Sequence, residues 1–79
     1  MNIYTQRFRS MCPNGGDWVE YVLTIETTEL IMVEAIQAAV AKLQGLFHEQ
    51  MADDLWQQFG GRHRIVAHHH GTDVETVRP

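Results

Sequence analysis

From Glu29 to Phe59 apolar residues recur with helical spacing, and residues that alternate as strands do lie on both sides of the run. A chain built this way must lay helices against a sheet. In the first half, Val33, Ile36, Val40, Leu43 and Phe47 form one stripe with Met32 and Ala39 at its edge; in the second, His48, Met51, Ala52, Leu55 and Phe59 share a face, with Glu49, Asp53 and Trp56 turned away. Gly45 interrupts the pattern, which predicts two consecutive helices, with one long kinked helix as the alternative. Thr27 or Thr28 can cap the first helix and Glu29 suits the positive end of its dipole, so that helix is expected to begin at Glu29 and end near Gly45. Gly60-Gly61 is expected to end the second.

The flanking segments read as two hairpins. Trp18 to Glu26 alternates clearly, with Val19, Tyr21, Leu23 and Ile25 on one face and Glu20, Thr24 and Glu26 on the other. Asn2 to Ser10 alternates more weakly, with Tyr4 and Phe8 on one face and Thr5, Arg7 and Arg9 opposite. A two-residue turn at Asn14-Gly15 sets Phe8 against Tyr21, Tyr4 against Ile25 and Arg9 against Glu20, so that register, charge and burial agree. Arg62 to His69 and Thr72 to Arg78 are the remaining strands, joined at His70-Gly71. The expectation is a single α+β domain, residues 1–79, of order β-β-α-α-β-β: an antiparallel sheet with two helices on one face.

A chain of 79 residues buries a modest share of its surface, which makes oligomerisation or partner binding expected. Its 44% apolar and 20% charged residues are those of a packed domain, not of a disordered chain. With net charge -4 and only Arg62-His63-Arg64 as a basic cluster, nucleic acid is not the expected partner. The sequence has no apolar run of bilayer length and no signal-peptide pattern, so a cytoplasmic location and no membrane partner are expected. Cys12 is the single cysteine, which excludes an intrachain disulfide.

Four groups can carry chemistry. Cys12 ends a strand beside Asp17; it is either a small side chain packed at a hairpin end or, with a neighbour to take its proton, a nucleophile. Glu49 opens the second helix, where a carboxylate is favoured by the helix dipole and can also accept two hydrogen bonds from a guanine-like edge. His48 beside it belongs to the core stripe. Glu34 can reach a site at the sheet edge, although glutamates on amphipathic helices commonly face water. His68, His69 and His70, with His63, suggest metal binding, but neighbouring strand residues point to opposite faces, so no specific metal site is expected. There is neither a phosphate-binding glycine loop nor a serine-nucleophile motif.

Phe8-Arg9-Ser10-Met11-Cys12-Pro13, Gly16-Asp17-Trp18, Val33-Glu34 and Phe47-His48-Glu49, in this order, resemble motifs of the nitrile reductases of queuosine synthesis, which convert cyano-deazaguanine to its aminomethyl form. Those oxidoreductases have the tunnelling fold (T-fold), also of order β-β-α-α-β-β, in which several subunits join their sheets and form sites between them. The resemblance implies a purine-like (deazaguanine or pterin-like) ligand and a homo-oligomer. It implies Cys12 as the nucleophile that forms a thioimide with the nitrile, Asp17 as proton donor, Glu34 and Glu49 as ring anchors, and His48 as pocket wall. Here Asp17 follows Cys12 more closely than in that family. The family's Ser- and Lys-containing stretch linked to NADPH is replaced by Ala35-Ile36-Gln37-Ala38-Ala39, so the cofactor is left unassigned and an amidinotransferase-like reaction stays open.

The competing expectation is a non-catalytic protein-binding inhibitor of phage type, such as an anti-CRISPR protein, presenting a sheet edge or Glu20, Glu26, Glu34, Glu49, Asp53 and Asp54 to a basic protein partner.

Overall fold

The computed structural model describes residues Met1–Pro79. Six elements follow in the expected order: β1 (Asn2–Met11), β2 (Trp18–Thr27), α1 (Val33–Ala41), α2 (His48–Phe59), β3 (Arg62–His69) and β4 (Thr72–Arg78). The strands form one antiparallel sheet in sequence order. Both helices lie on the same face, α1 over β1 and α2 over β3 and β4. Between helices and sheet lie Tyr21, Leu23, Ile25, Ile36, Val40, Met51, Leu55 and Ile65, all buried. No helix is long and apolar enough to cross a membrane.

The β1–β2 register is the expected one: Phe8 faces Tyr21, Tyr4 faces Ile25 and Arg9 faces Glu20. The turn differs. Cys12 N–H donates to Asp17 O (2.8 Å) and Gly16 N–H to Cys12 O (3.2 Å), which closes a four-residue loop from Pro13 to Gly16, and Gly16 alone in this loop takes positive φ (+71°). A tight turn at Asn14-Gly15 and this wider loop are centred on the same point, so the pairing is identical in both.

The first helix begins at Val33, not Glu29. Thr27 Oγ1 accepts from Glu29 N–H (3.0 Å), but this is a local turn before the helix, and the Tyr4 hydroxyl accepts from Ile31 N–H (3.0 Å). These bonds hold residues 28–32 out of the helix and bury Ile31. Val33, Met32 and Phe47, expected on or beside the stripe, are exposed, while Ile36, Ala39, Val40 and Leu43 are buried. The helix ends at Ala41, ahead of Gly45, and α2 starts at His48 with Met51, Ala52 and Leu55 inward.

The α1–α2 connection is tied to β1 by one hydroxyl. Ser10, fully buried, donates from Oγ to Leu43 O (2.9 Å) and accepts from Gly45 N–H (3.1 Å). Gln50 Oε1 accepts from Phe47 N–H (3.0 Å) and so steadies the first turn of α2. Together these bonds set where Leu46, Phe47, His48 and Glu49 stand relative to the end of β1.

Candidate active site

Because β2 pairs with both β1 and β3, the β1–β2 loop and the β3–β4 turn lie at one end of the sheet, and the start of α2 comes down beside them. A cleft of about 210 Å³ opens there, and among its walls are Cys12, Pro13, Phe47, Glu49, His69 and His70. Cys12 is buried in the chain as a whole yet reaches this wall. His48 also lines the cleft.

Beneath it lies a set of rings. Phe8 stacks on Tyr21 with ring centroids 5.1 Å apart, and Tyr21, His48 and His69 sit 5.4 to 5.7 Å from one another. His48 Nε2 lies 3.1 Å from the Ile65 carbonyl, which can only accept, so Nε2 carries the proton. Its Nδ1 then offers a lone pair to His69 Nε2, 3.3 Å away. Burial pushes the His48 imidazole below its usual range, which outweighs the Ile65 carbonyl acting the other way, and His69 adds to the lowering. Burial raises the Tyr21 phenol, and the negative charges available to Cys12 and Glu49 raise it further.

His70 stands apart from that set. It is the sole non-glycine residue with positive φ (+48°), followed by Gly71 at +86°, a pair of values that defines a tight hairpin turn of the kind that favours Asn, Asp or Gly. A histidine in this conformation costs about 1 kcal/mol. The turn aims the ring at the neighbouring hairpin, where Nε2 lies 3.8 Å from Cys12 Sγ. The ring rests over Gly15: a Cβ there would stand 3.0 Å from His70 Cε1, and 3.7 Å from Asp17 Oδ2.

Of the residues expected to form the site, Cys12, His48 and Glu49 come together in the cleft. Asp17 is exposed at the hairpin mouth, on the helix-side face by register, and is not part of the cleft wall. Glu34 is exposed on the first turn of α1 and is likewise absent from it. His69 and His70, considered only as metal ligands from sequence, are neighbours of the thiol and of His48 instead. The histidines divide as strand geometry requires: exposed His68 bonds Asp73 (2.8 Å), while His63 is buried against Gly60 O (2.6 Å) with Nδ1 unpartnered. No group of three or more potential ligands is arranged to hold a metal ion. Among the acidic residues considered for a protein-binding face, Asp53 pairs with Arg78 (2.7 Å), and Glu26 lies 3.9 Å from Arg62.

An antiparallel sheet in sequence order, two consecutive helices on one face, and a cleft at the sheet end define a T-fold-like α+β protein. No family model and no curated relative matches the chain. Within that fold class it is similar to the crystal structure of an archaeosine synthase, QueF-like, in its apo form. The TM-score is 0.71 at 20% sequence identity, over 98% of this chain and 89% of that one. The fold expected from the motif resemblance is the fold observed.

Proposed function

We propose that this chain is a T-fold enzyme that acts on the nitrile of a deazaguanine-like ring, with Cys12 as nucleophile. The observation that carries this is the single cleft lined by both Cys12 and Glu49, in a fold shared with an archaeosine synthase. Glu49 accepts two hydrogen bonds from the ring N–H and exocyclic amine, which orients the ring. The Cys12 sulfur bonds to the nitrile carbon, the triple bond becomes a double bond, and Asp17 at the hairpin mouth protonates the nitrogen to give a thioimide. Glu34 is exposed on α1 and does not line this cleft, and under this mechanism it anchors a ring only from a second copy.

The thioimide then has two fates. Reduction needs a hydride donor such as NADPH. Ammonia attack instead expels the Cys12 thiol and leaves an amidine, with no change in oxidation state. The second fate is the one proposed: the fold neighbour is an archaeosine synthase, and Ala35-Ile36-Gln37-Ala38-Ala39 stands where the reductases have their nicotinamide-linked stretch. Incubation with cyano-deazaguanine and ammonium, followed by mass analysis of the small molecule, tests this. A product heavier by one ammonia supports it. Unchanged nitrile, or conversion only with NADPH and to a product heavier by four hydrogens, overturns it.

A further inference from the structure

We infer that His70 is the catalytic base that takes the proton from the Cys12 thiol. The three histidines of the cleft are not equivalent. His48 has both ring nitrogens engaged, with Ile65 O and His69, and His69 Nε2 is committed to His48. His70 alone directs a ring nitrogen at sulfur, across 3.8 Å. That distance is loose for proton transfer, as nucleophile–base contacts commonly are before a ligand closes the site.

Two further features aim this ring. His70 occupies a left-handed backbone position that few non-glycine residues adopt, and strain of this kind gathers at functional sites. Residue 15 of the facing hairpin is a glycine, and any Cβ there would meet the His70 ring at 3.0 Å. An ordinary hairpin would carry Asn or Gly at position 70 and any small residue at 15. Here the two turns interlock so that an imidazole reaches a buried thiol.

The inference deepens the nitrile mechanism and rests on it only for the identity of the electrophile. In the first step the S–H bond breaks and its proton moves to the lone pair of His70 Nε2. Sulfur supplies the pair for the new S–C bond, one C≡N π pair moves to nitrogen, and nitrogen takes its proton from Asp17. Return of a proton from His70 to the Asp17 carboxylate, which borders the same side of Gly15, restores both groups. Protons and electrons balance without an oxidant or reductant.

The test is the second-order rate of Cys12 alkylation by iodoacetamide at neutral pH, in the full chain, which involves no nitrile. Two substitutions suit the left-handed position: His70→Gly, which leaves an imidazole-sized gap over Gly15, and His70→Asn, which fills it without a base. Both are expected to slow alkylation by at least about tenfold. Added imidazole is expected to restore His70→Gly and not His70→Asn, and Gly15→Ala, which displaces the ring, is expected to slow the reaction severalfold. Unchanged rates in both His70 variants overturn the inference, as does slowing of His70→Gly that imidazole does not relieve, because the ring would then serve only to hold the turn. If alkylation depends on His70 while the nitrile gives no adduct, the substrate assignment fails and the base assignment stands.

Discussion

Ser10→Ala is expected to remove more stability than its size suggests. The hydroxyl is wholly inaccessible and serves two backbone groups of the α1–α2 connection, the Leu43 carbonyl and the Gly45 N–H. Alanine fits the same space but satisfies neither, and each buried group left unpaired costs about 1–3 kcal/mol. Because Gly45 is exposed, water can take over its bond, and the unpaired Leu43 carbonyl sets the expected loss at about 1–3 kcal/mol. A domain of this length holds roughly 4–12 kcal/mol in total, and each kcal/mol shifts Tm by about 4–8 °C, so the midpoint should fall by roughly 4–24 °C. Urea titration followed by tryptophan fluorescence, with thermal melts by circular dichroism, measures this. Gln44→Ala is the control: its side chain donates to Arg9 O (3.1 Å) at the surface, and its loss should stay below about 0.5 kcal/mol. If Ser10→Ala loses no more than Gln44→Ala, at unchanged m-value, the hydroxyl is not the tie between β1 and the helix connection.

Three other outcomes are expected. Met51→Ala, at a fully buried position in the first turn of α2, should cost about 2–5 kcal/mol in the same titration; a loss under about 1 kcal/mol would mean that α2 packs loosely on the sheet. Stability should fall as pH drops below neutral, because burial lowers His48 and His63 in the folded state while the unfolded chain titrates near 6.5. Their contribution is complete above the unfolded value and is lost as pH falls through it toward the lower folded values, so unfolding takes up protons there; stability that is flat from about pH 7.5 to pH 5 would refute this. Glu49→Gln should weaken binding of cyano-deazaguanine at least tenfold in a calorimetric titration while leaving Tm within a few degrees, since an exposed carboxylate contributes little to folding but the amide can accept only part of the ring's hydrogen-bond pattern.

Much of the fold was legible because strand periodicity constrains it heavily. Placing Phe8 opposite Tyr21 and Arg9 opposite Glu20 leaves one register, and the loop type does not alter it. The start of α1 was not legible. Threonine before glutamate reads as a helix cap, but a tyrosine hydroxyl from β1 captures Ile31 N–H and keeps the segment out of the helix, a contact between residues far apart in the chain. In the candidate site, Cys12 and Glu49 were legible from residue type and position. His70 was hidden because the three adjacent histidines suggested a metal, whereas its role depends on two hairpin turns meeting at one end of the sheet. That meeting follows from β2–β3 pairing, and the Gly15 and His70-Gly71 turn residues were its available signal.

The proposed reaction requires a covalent bond between Cys12 and a nitrile carbon. Intact-mass spectrometry of the protein after incubation with cyano-deazaguanine, in the absence of ammonium and beside Cys12→Ala, reads it directly. The expected result is a shift equal to the whole mass of the nitrile, because the thiol adds without a leaving group, with no shift in Cys12→Ala. A folded sample that takes up no mass at saturating ligand, or one that gains it equally in the alanine variant, would contradict it.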